Sequence, residues 1–188
     1  LTRLKLGLSF LGDGEDIRAL QQDVTDMERM VNSYLDFVRG EGEEEAVTIN
    51  FVDLLKKITD IAKRHGTDIT LSTPDNVMMT VRPLAMERCL SNIIGNAEKF
   101  ATKISVTLDI EEQGASLKIE DNGPGVAEDK FEDIFKPFFK VDASRSKSSG
   151  GVGLGLSIAR DIIHVHGGHI TPCKSSMGGL CLDISLPV

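Results

Sequence analysis

The sequence predicts a two-layer α/β sandwich preceded by an antiparallel helical hairpin. In the first 40 residues, apolar residues recur at spacings of three and four, which is the period of a helix. After residue 46, strictly alternating apolar runs, typical of half-buried strands, are interspersed with longer helical patterns. We therefore divide the chain into a hairpin at 1–40, a linker at 41–46 and a sandwich domain at 47–188.

The predicted hairpin carries one apolar stripe across two helices joined at Gly12-Asp13-Gly14. Two helices cannot bury such a stripe between themselves, so we expect a second copy to complete a four-helix bundle. Packing against the rest of the same chain is the alternative. The stripe consists of Leu1, Leu4, Leu8, Leu11, Ile17, Leu20, Val24, Met27, Val31, Tyr34 and Val38.

The acidic segment 41–46 has no periodicity and is interpreted as a solvated linker without a docking role. A short strand at 47–49 and a helix capped by Asn50 and ending at Gly66 follow. Strands are predicted around 69–71 and 77–81, and Pro83 is well placed to begin a helix that runs to about Ala101. Alternation then predicts strands at 104–110, 117–119 and 180–186 in a mainly antiparallel sheet, with a further helix at 154–165.

Composition excludes several classes of function. A net charge of −8 over 188 residues argues against a general nucleic-acid or anionic-membrane surface. No apolar run reaches transmembrane length, so we expect no membrane contact by this chain. The three cysteines lack a Cys-x-x-Cys spacing and are interpreted as small buried hydrophobes, and the histidines at 164, 166 and 169 as capping or surface groups rather than metal ligands.

The helix beginning at Pro83 presents an unusual polar stripe. Asn92, Asn96 and Lys99 fall on one side of this helix, opposite an apolar arc. Asparagine is a poor residue for a helix interior, so a merely solvated face would more often carry Glu and Lys. Two carboxamides and an ammonium suit a hydrated Mg²⁺ and phosphate oxygens, and Phe100 at the border offers a flat apolar wall to a base.

Two glycine-rich segments follow, at 121–125 (DNGPG) and 150–156 (GGVGLGL). Asp121 ends an alternating run, so a strand would deliver its carboxylate to a pocket wall while the next glycines lie flat against a ligand. In the second segment, alternate glycines open a helix and leave backbone amides available to an anion. Taken alone, either segment could be a plain turn or hinge.

A basic loop lies between these segments. Lys136, Lys140, Arg145 and Lys147 concentrate positive charge next to phenylalanines in an otherwise acidic protein. We interpret the loop as a lid whose phenylalanines pack on the domain and whose cations meet phosphates. A disordered basic loop is the alternative.

The polar stripe, the first glycine segment, the phenylalanine-rich loop and the second glycine segment, in this order, resemble the nucleotide-binding boxes of the sensor histidine kinases, and Gly178-Gly179 resemble their final box. The resemblance implies a Bergerat-type ATP fold in which Asn96 is the Mg²⁺ ligand, Lys99 a phosphate contact and Asp121 the acceptor of the adenine amino group. The complete ATP-binding set implied is Asn92, Asn96, Lys99, Phe100, Asp121, Gly123, Gly125, Val126, Lys140, Val141, Gly151, Val152, Gly153, Leu154, Gly155 and Leu156.

The resemblance also implies a function. The parent protein would use ATP and Mg²⁺ to phosphorylate a histidine, pass the phosphoryl group to an aspartate of a response regulator, and form a homodimer through the hairpin. The acceptor histidine would lie upstream of Leu1, so this chain is expected to be a part of a longer protein, unable to phosphorylate itself and cytoplasmic, with a membrane anchor of the parent left open.

Asn92 separates the branches of this fold. Relatives of the gyrase type are expected to place a glutamate there as the base for ATP hydrolysis, and asparagine cannot take that proton. Slow hydrolysis is therefore expected. A gyrase- or MutL-type ATPase and a non-catalytic nucleotide-binding scaffold are the alternative functions.

Overall fold

A five-stranded sheet covered on one face by helices organises the chain from residue 47 onward in the computed structural model. The strands are β1 Val47–Asn50, β2 Asp68–Ser72, β3 Met78–Val81, β4 Lys103–Glu111, β5 Gly114–Asp121, β6 His169–Lys174 and β7 Leu180–Leu186. The helices are α1 Phe51–Arg64, α2 Pro83–Phe100 and α3 Gly155–Val165, with short 3-10 turns at Glu128–Lys130 and Asp133–Phe135.

The structure describes residues 44–112, 114–141 and 153–188, together with isolated positions among the first 27 residues. The predicted hairpin at 1–40 lies almost entirely outside the described residues, so both the hairpin and its dimer stay predictions. The cations Arg145 and Lys147 and the glycine-box residues Gly151 and Val152 also lie outside them.

The sheet has the strand order β2-β4-β5-β7-β6. β2 runs parallel to β4, and the other neighbours are antiparallel, which confirms the mainly antiparallel sandwich. β1 and β3 form a separate antiparallel pair. The inner face carries the buried alternate residues Val106, Leu117, Ile119, Leu182 and Ile184, against which the helices bury their apolar faces.

The ends of the helices follow the sequence signals. Asn50 caps α1 by accepting a hydrogen bond from the Val52 amide (3.2 Å), and its amide nitrogen donates to Asp53 (3.0 Å). The chain leaves α1 through Gly66 at a φ of 91°, a conformation that favours glycine. Pro83 is the first residue of α2, as predicted.

Strand β6 is the element that the sequence analysis missed. Pro172 interrupts its pattern, and proline normally weakens a strand prediction. However, β6 is an edge strand. The hydrogen bond from Ser175 N to Gly179 O (3.0 Å) shows that residue 175 directs its N–H toward β7, and every second residue before it along β6 does the same. Residue 172, opposite Leu182, is then at a position whose N–H would point away from β7, so the proline removes no ladder bond. His169 is exposed as expected, but it begins this strand rather than capping a helix.

The acidic linker does more than the sequence analysis assigned to it. The carboxylate of Glu44 accepts hydrogen bonds from the backbone amides of Leu84 (2.6 Å) and Ala85 (3.0 Å). The N-cap residue Arg82 provides no side-chain cap, so Glu44 satisfies two first-turn amides of α2 from a distant position in the chain. The C-terminal end of the linker is therefore attached to the helix that carries the polar stripe.

The described contacts of His166 are with backbone groups, and the three cysteines are buried or half-buried. His166 Nε2 accepts a hydrogen bond from the Arg82 amide (3.0 Å), and His166 Nδ1 lies 2.7 Å from the carbonyl oxygen of Ile162. The His166 side chain therefore links the C-terminus of α3 to the start of α2. Within the described ranges, no group of three His, Cys, Asp or Glu side chains could hold a metal ion. Cys89 and Cys181 are buried, Cys173 is half-buried, and all three are free thiols.

Candidate functional site

A cavity lies between α2 and the inner face of the sheet, at the end of β5. Its walls are apolar except for one carboxylate, from Asp121, and one carboxamide, from Asn96. The residues that line it are Ile93, Asn96, Ala97, Ile119, Asp121, Leu180 and Leu182. Apolar walls with a few directed polar groups are typical of a pocket that binds a flat organic ligand.

Asp121 is held in a fixed orientation with one oxygen left for a ligand. Its side chain is buried, and Oδ1 accepts hydrogen bonds from the backbone amides of Gly123 (2.7 Å) and Leu180 (3.2 Å). Within the described part of the chain, no protein group donates to Oδ2. Burial raises the pKa of Asp121 above its ordinary value, while the two amide hydrogen bonds oppose that rise.

Three glycines allow the backbone to close around this carboxylate. A Cβ on Gly123 would lie 2.9 Å from both Asp121 Oδ1 and the carbonyl oxygen of Phe100. Gly125 has a φ of 69°, and a Cβ there would lie 3.3 Å from the carbonyl oxygen of Gly179. At Gly179 a Cβ would overlap Asp121 Oδ1 outright. The segment 121–125 and the turn between β6 and β7 therefore pack backbone to backbone at the cavity.

The polar stripe on α2 has the arrangement that the sequence predicted. Leu90, Ile93, Ile94 and Ala97 are buried, which leaves the asparagines and the lysine on the other side. The amide nitrogen of Asn92 is buried without a hydrogen-bond partner in the described structure. The Asn92 side chain lies against the first turn of α3, where a Cβ on Gly155 would lie 3.7 Å from its Cβ, Cγ and Oδ1. An unpaired buried donor is costly, and an oxygen-rich ligand would satisfy it.

The described ends of the loop between the 3-10 turns and α3 meet each other. The amide of Phe138 donates to the carbonyl oxygen of Gly153 (2.9 Å), and both residues have positive φ (66° and 81°). A Cβ on Gly153 would lie 2.9 Å from the Phe138 carbonyl carbon, so this contact requires glycine. The lid segment predicted from sequence therefore leaves and re-enters the domain at one place.

The phenylalanines of this loop have different roles. Phe135 is buried, and Arg160 of α3 covers its ring (5.1 Å to the centroid) while donating to its carbonyl oxygen (3.3 Å). Phe139 is half-buried against the core, but Phe138 is largely exposed. The expected packing on the domain is thus seen for two of the three side chains.

The remaining predicted residues border the cavity or the loop. Val126, Leu154 and Leu156 are half-buried against the core, and Lys99, Phe100, Lys140 and Val141 are exposed. Lys99 has no ion-pair partner among the described residues, which leaves its ammonium available to an anion. The structure brings Asn96 and Asp121 into one cavity and places Asn92 against Gly155, whereas residues 150–152 of the second glycine segment fall outside the described residues.

Sequence reasoning missed the contribution of the turn between β6 and β7. Gly179 and Leu180 bind Asp121 through their amides, and Glu120 holds the same turn from the other side of the sheet. Gly178-Gly179 were noted only for their resemblance to the final nucleotide-binding box, without a contact to Asp121. Glu120 gave no signal, because a glutamate before a glycine-rich turn is normally a solvated side chain.

Comparison with known proteins gives a consistent answer. Residues 81–188, more than half of the chain, match the family described as histidine kinase-, DNA gyrase B-, and HSP90-like ATPase. The sensor histidine kinase CpxA of Escherichia coli (strain K12) is 32% identical over 200 residues, which cover all of this chain and 44% of CpxA. The chain therefore spans less than half the length of this relative.

Solved structures agree in fold. The ATP-binding domain of PrrB from Mycobacterium tuberculosis superposes with a TM-score of 0.64 at 25% identity, covering 77% of this chain and 98% of that domain. Full-length ShkA in complex with AMPPNP superposes with a TM-score of 0.71 at 23% identity, covering 91% of this chain and 38% of ShkA. Among the described residues, no helix has the length and apolar character needed to cross a membrane.

Proposed function

Because the chain belongs to the histidine kinase-, DNA gyrase B-, and HSP90-like ATPase family, we propose that its cavity binds the adenine base of ATP. The observation that carries this proposal is the fixed carboxylate of Asp121 in a mainly apolar pocket, whose other polar group is the Asn96 carboxamide. Two amides occupy Oδ1, and Oδ2 is left to accept a hydrogen bond from the adenine 6-amino group. Guanine presents an oxygen at this position, and its lone pairs would face the carboxylate.

The polar side of α2 would receive the triphosphate. Asn96 would hold a Mg²⁺ ion through its carboxamide oxygen, an oxygen donor of the kind that this cation prefers. The unpaired amide of Asn92 would donate to a phosphate oxygen, and Lys99 would supply a positive charge. Mg²⁺, when bound, would neutralise charge on the phosphates, while the start of α3 at Gly155 offers backbone amides to the same anion.

For the parent protein we propose a sensor histidine kinase. ATP held in this site would supply the γ-phosphoryl group to a histidine on a helical hairpin, and an aspartate of a response regulator would receive it next. The similarity to CpxA across the whole chain supports this assignment. Asn92 supports kinase chemistry over hydrolysis, since a carboxamide cannot act as a general base toward water. The homodimer and the response regulator are parts of the same proposal.

Calorimetric titration tests the proposal. We expect ATP to bind with Mg²⁺, to bind more weakly without it, and GTP not to bind measurably. Asp121→Asn should abolish the heat of ATP binding, because an amide group presents a donor as well as an acceptor to the adenine edge. Asp109→Asn, on an exposed part of β4, is the matched control and should bind as the unmodified chain does.

Two results would contradict the proposal. A folded protein that binds no nucleotide would favour a scaffold without catalytic function. Rapid ATP hydrolysis by the purified chain would favour the gyrase-type alternative and contradict the interpretation of Asn92.

A further inference from the structure

We propose that Glu120 is a positioning residue that sets adenine specificity, by holding the turn between β6 and β7 against Asp121. Glu120 and Asp121 are consecutive at the end of β5, so their side chains point to opposite faces of the sheet. Asp121 reaches the cavity, and Glu120 reaches the same turn from the outer face. This inference rests on the proposed role of Asp121 in recognising adenine.

One oxygen of Glu120 collects three hydrogen bonds from two consecutive serines. Oε1 accepts from the Ser176 amide (2.9 Å), the Ser176 hydroxyl (3.1 Å) and the Ser175 hydroxyl (3.2 Å). Bonds to a charged acceptor are stronger than neutral ones. In agreement with this, the pKa of Glu120 is lowered, first by the Ser176 amide. No other side chain in the described part of the chain makes as many hydrogen bonds with this turn.

The turn transmits this restraint to Asp121 through backbone bonds. The Ser175 amide donates to the Gly179 carbonyl (3.0 Å), and the Ser175 carbonyl accepts from the Gly178 amide (3.0 Å). Gly179 then donates to the Asp121 carbonyl (3.1 Å), and Leu180 donates to Asp121 Oδ1 (3.2 Å). Two consecutive carboxylates therefore hold the turn from both faces of the sheet.

The consequence concerns specificity more than affinity. If the turn moves away from β5, the Leu180 amide no longer orients Oδ1, and Oδ2 loses its fixed direction toward the base. A purine with an oxygen in place of the 6-amino group makes no favourable hydrogen bond with Oδ2, so it loses none when that direction is lost. The ratio of affinities for two bases that differ only at this position therefore reports on Glu120, whereas a general loss of stability would weaken both alike.

The experiment compares Mg-ATP with Mg-ITP, which carries an oxygen in place of the 6-amino group, by calorimetry. Glu120→Ala should weaken ATP on the order of tenfold and leave ITP nearly unchanged, so that the ATP-to-ITP preference falls by about the same factor. Glu120→Gln retains the acceptor oxygen without its charge, so its ATP-to-ITP preference should lie between that of the unmodified chain and that of Glu120→Ala. Asp109→Ala removes an outer-face carboxylate on β4, distant from the turn, and should keep the full preference.

The double variant Ser175→Ala, Ser176→Ala removes the partners rather than the glutamate and should reproduce the loss of preference, which keeps the inference testable if Glu120→Ala does not fold. An unchanged ATP-to-ITP ratio in Glu120→Ala and in the double variant would overturn it. Failure of the proposed function is recognised separately: in that case the unmodified chain would not distinguish ATP from ITP.

Discussion

The crowding around Gly179 makes Gly179→Ala a demanding test of the site. A Cβ at this position overlaps Asp121 Oδ1 and lies 2.5 Å from the Asp121 carbonyl oxygen and 2.6 Å from the Gly123 nitrogen. Contacts of a carbon normally begin near 3.4 Å, so backbone atoms must separate by about 0.9 Å. That movement breaks the bonds from Gly179 and Leu180 to Asp121.

The magnitude follows from these contacts. Overpacking of this kind costs about 1–3 kcal/mol in the free energy of unfolding. At roughly 2–4 °C per kcal/mol for a chain of this size, the melting temperature should fall by several degrees. On the proposed role of Asp121, loss of the oriented carboxylate would remove a charge-assisted hydrogen bond to adenine, worth about 1.5–3 kcal/mol, which corresponds to an affinity roughly 10- to 150-fold lower.

Gly168→Ala is the matched control. A Cβ on Gly168 overlaps the Ser185 carbonyl oxygen and lies 2.8 Å from Leu186 Cδ2, so the strain is similar. However, this site is at the far end of the β6–β7 pair, roughly 17 Å along β7 from Leu180. Thermal unfolding and ADP titration of both variants separate the effects: both should melt earlier, and only Gly179→Ala should lose ADP. Normal ADP binding by Gly179→Ala, or an equal loss by Gly168→Ala, would refute the reasoning.

Three further predictions follow from named contacts. Because burial raises the pKa of Asp121, the unmodified chain should lose stability as pH rises from the ordinary value of 3.8 to the higher folded pKa. Asp121→Asn lacks this titrating group, so its stability relative to the unmodified chain should increase over the same range. Melting curves at several pH values across the range check the sign. Glu44→Ala should lower the free energy of unfolding by about 1 kcal/mol through loss of the α2 cap, which chemical denaturation measures. An equal loss in the control Glu45→Ala would contradict this prediction. Cys89, whose pKa burial raises to about 12, should resist alkylation in the native protein and react on unfolding, which mass spectrometry detects; rapid native labelling would show the helix interface to be open.

Local signals in the sequence predicted most of the sandwich domain. Asn50, Pro83 and Gly66 are residues whose own chemistry favours a helix boundary, so their neighbours were enough to place α1 and the start of α2. Alternation found β4, β5 and β7 because each has one buried face. β6 was missed because its proline is tolerated only at a sheet edge, and edge position is a property of the whole topology.

In the candidate site, as in the fold, local sequence signals predicted some residues, and residues that depend on distant partners were missed. The sequence predicted Asp121, Asn96 and the glycines of segment 121–125, since those residue types carry their chemistry with them. It could not predict the roles of Glu120 and Glu44, because each acts on a partner distant in the chain: Glu120 on serines 55 and 56 residues away, and Glu44 on amides 40 and 41 residues away. A glutamate looks the same in sequence whether or not such a partner exists.

Two buried polar groups, one in the cavity and one beside the first turn of α3, oppose folding, and a nucleotide would relieve both. Asp121 is a buried carboxylate with a raised pKa, and the amide of Asn92 is a buried donor without a described partner. An amino group from adenine would pair with the first, and a phosphate oxygen would pair with the second. The two groups lie at different points beside α2, Asp121 at the cavity and Asn92 against the start of α3, so a single ligand that satisfies both must carry a base at one point and an anion at the other. That requirement describes a nucleoside polyphosphate better than either a free base or a free phosphate.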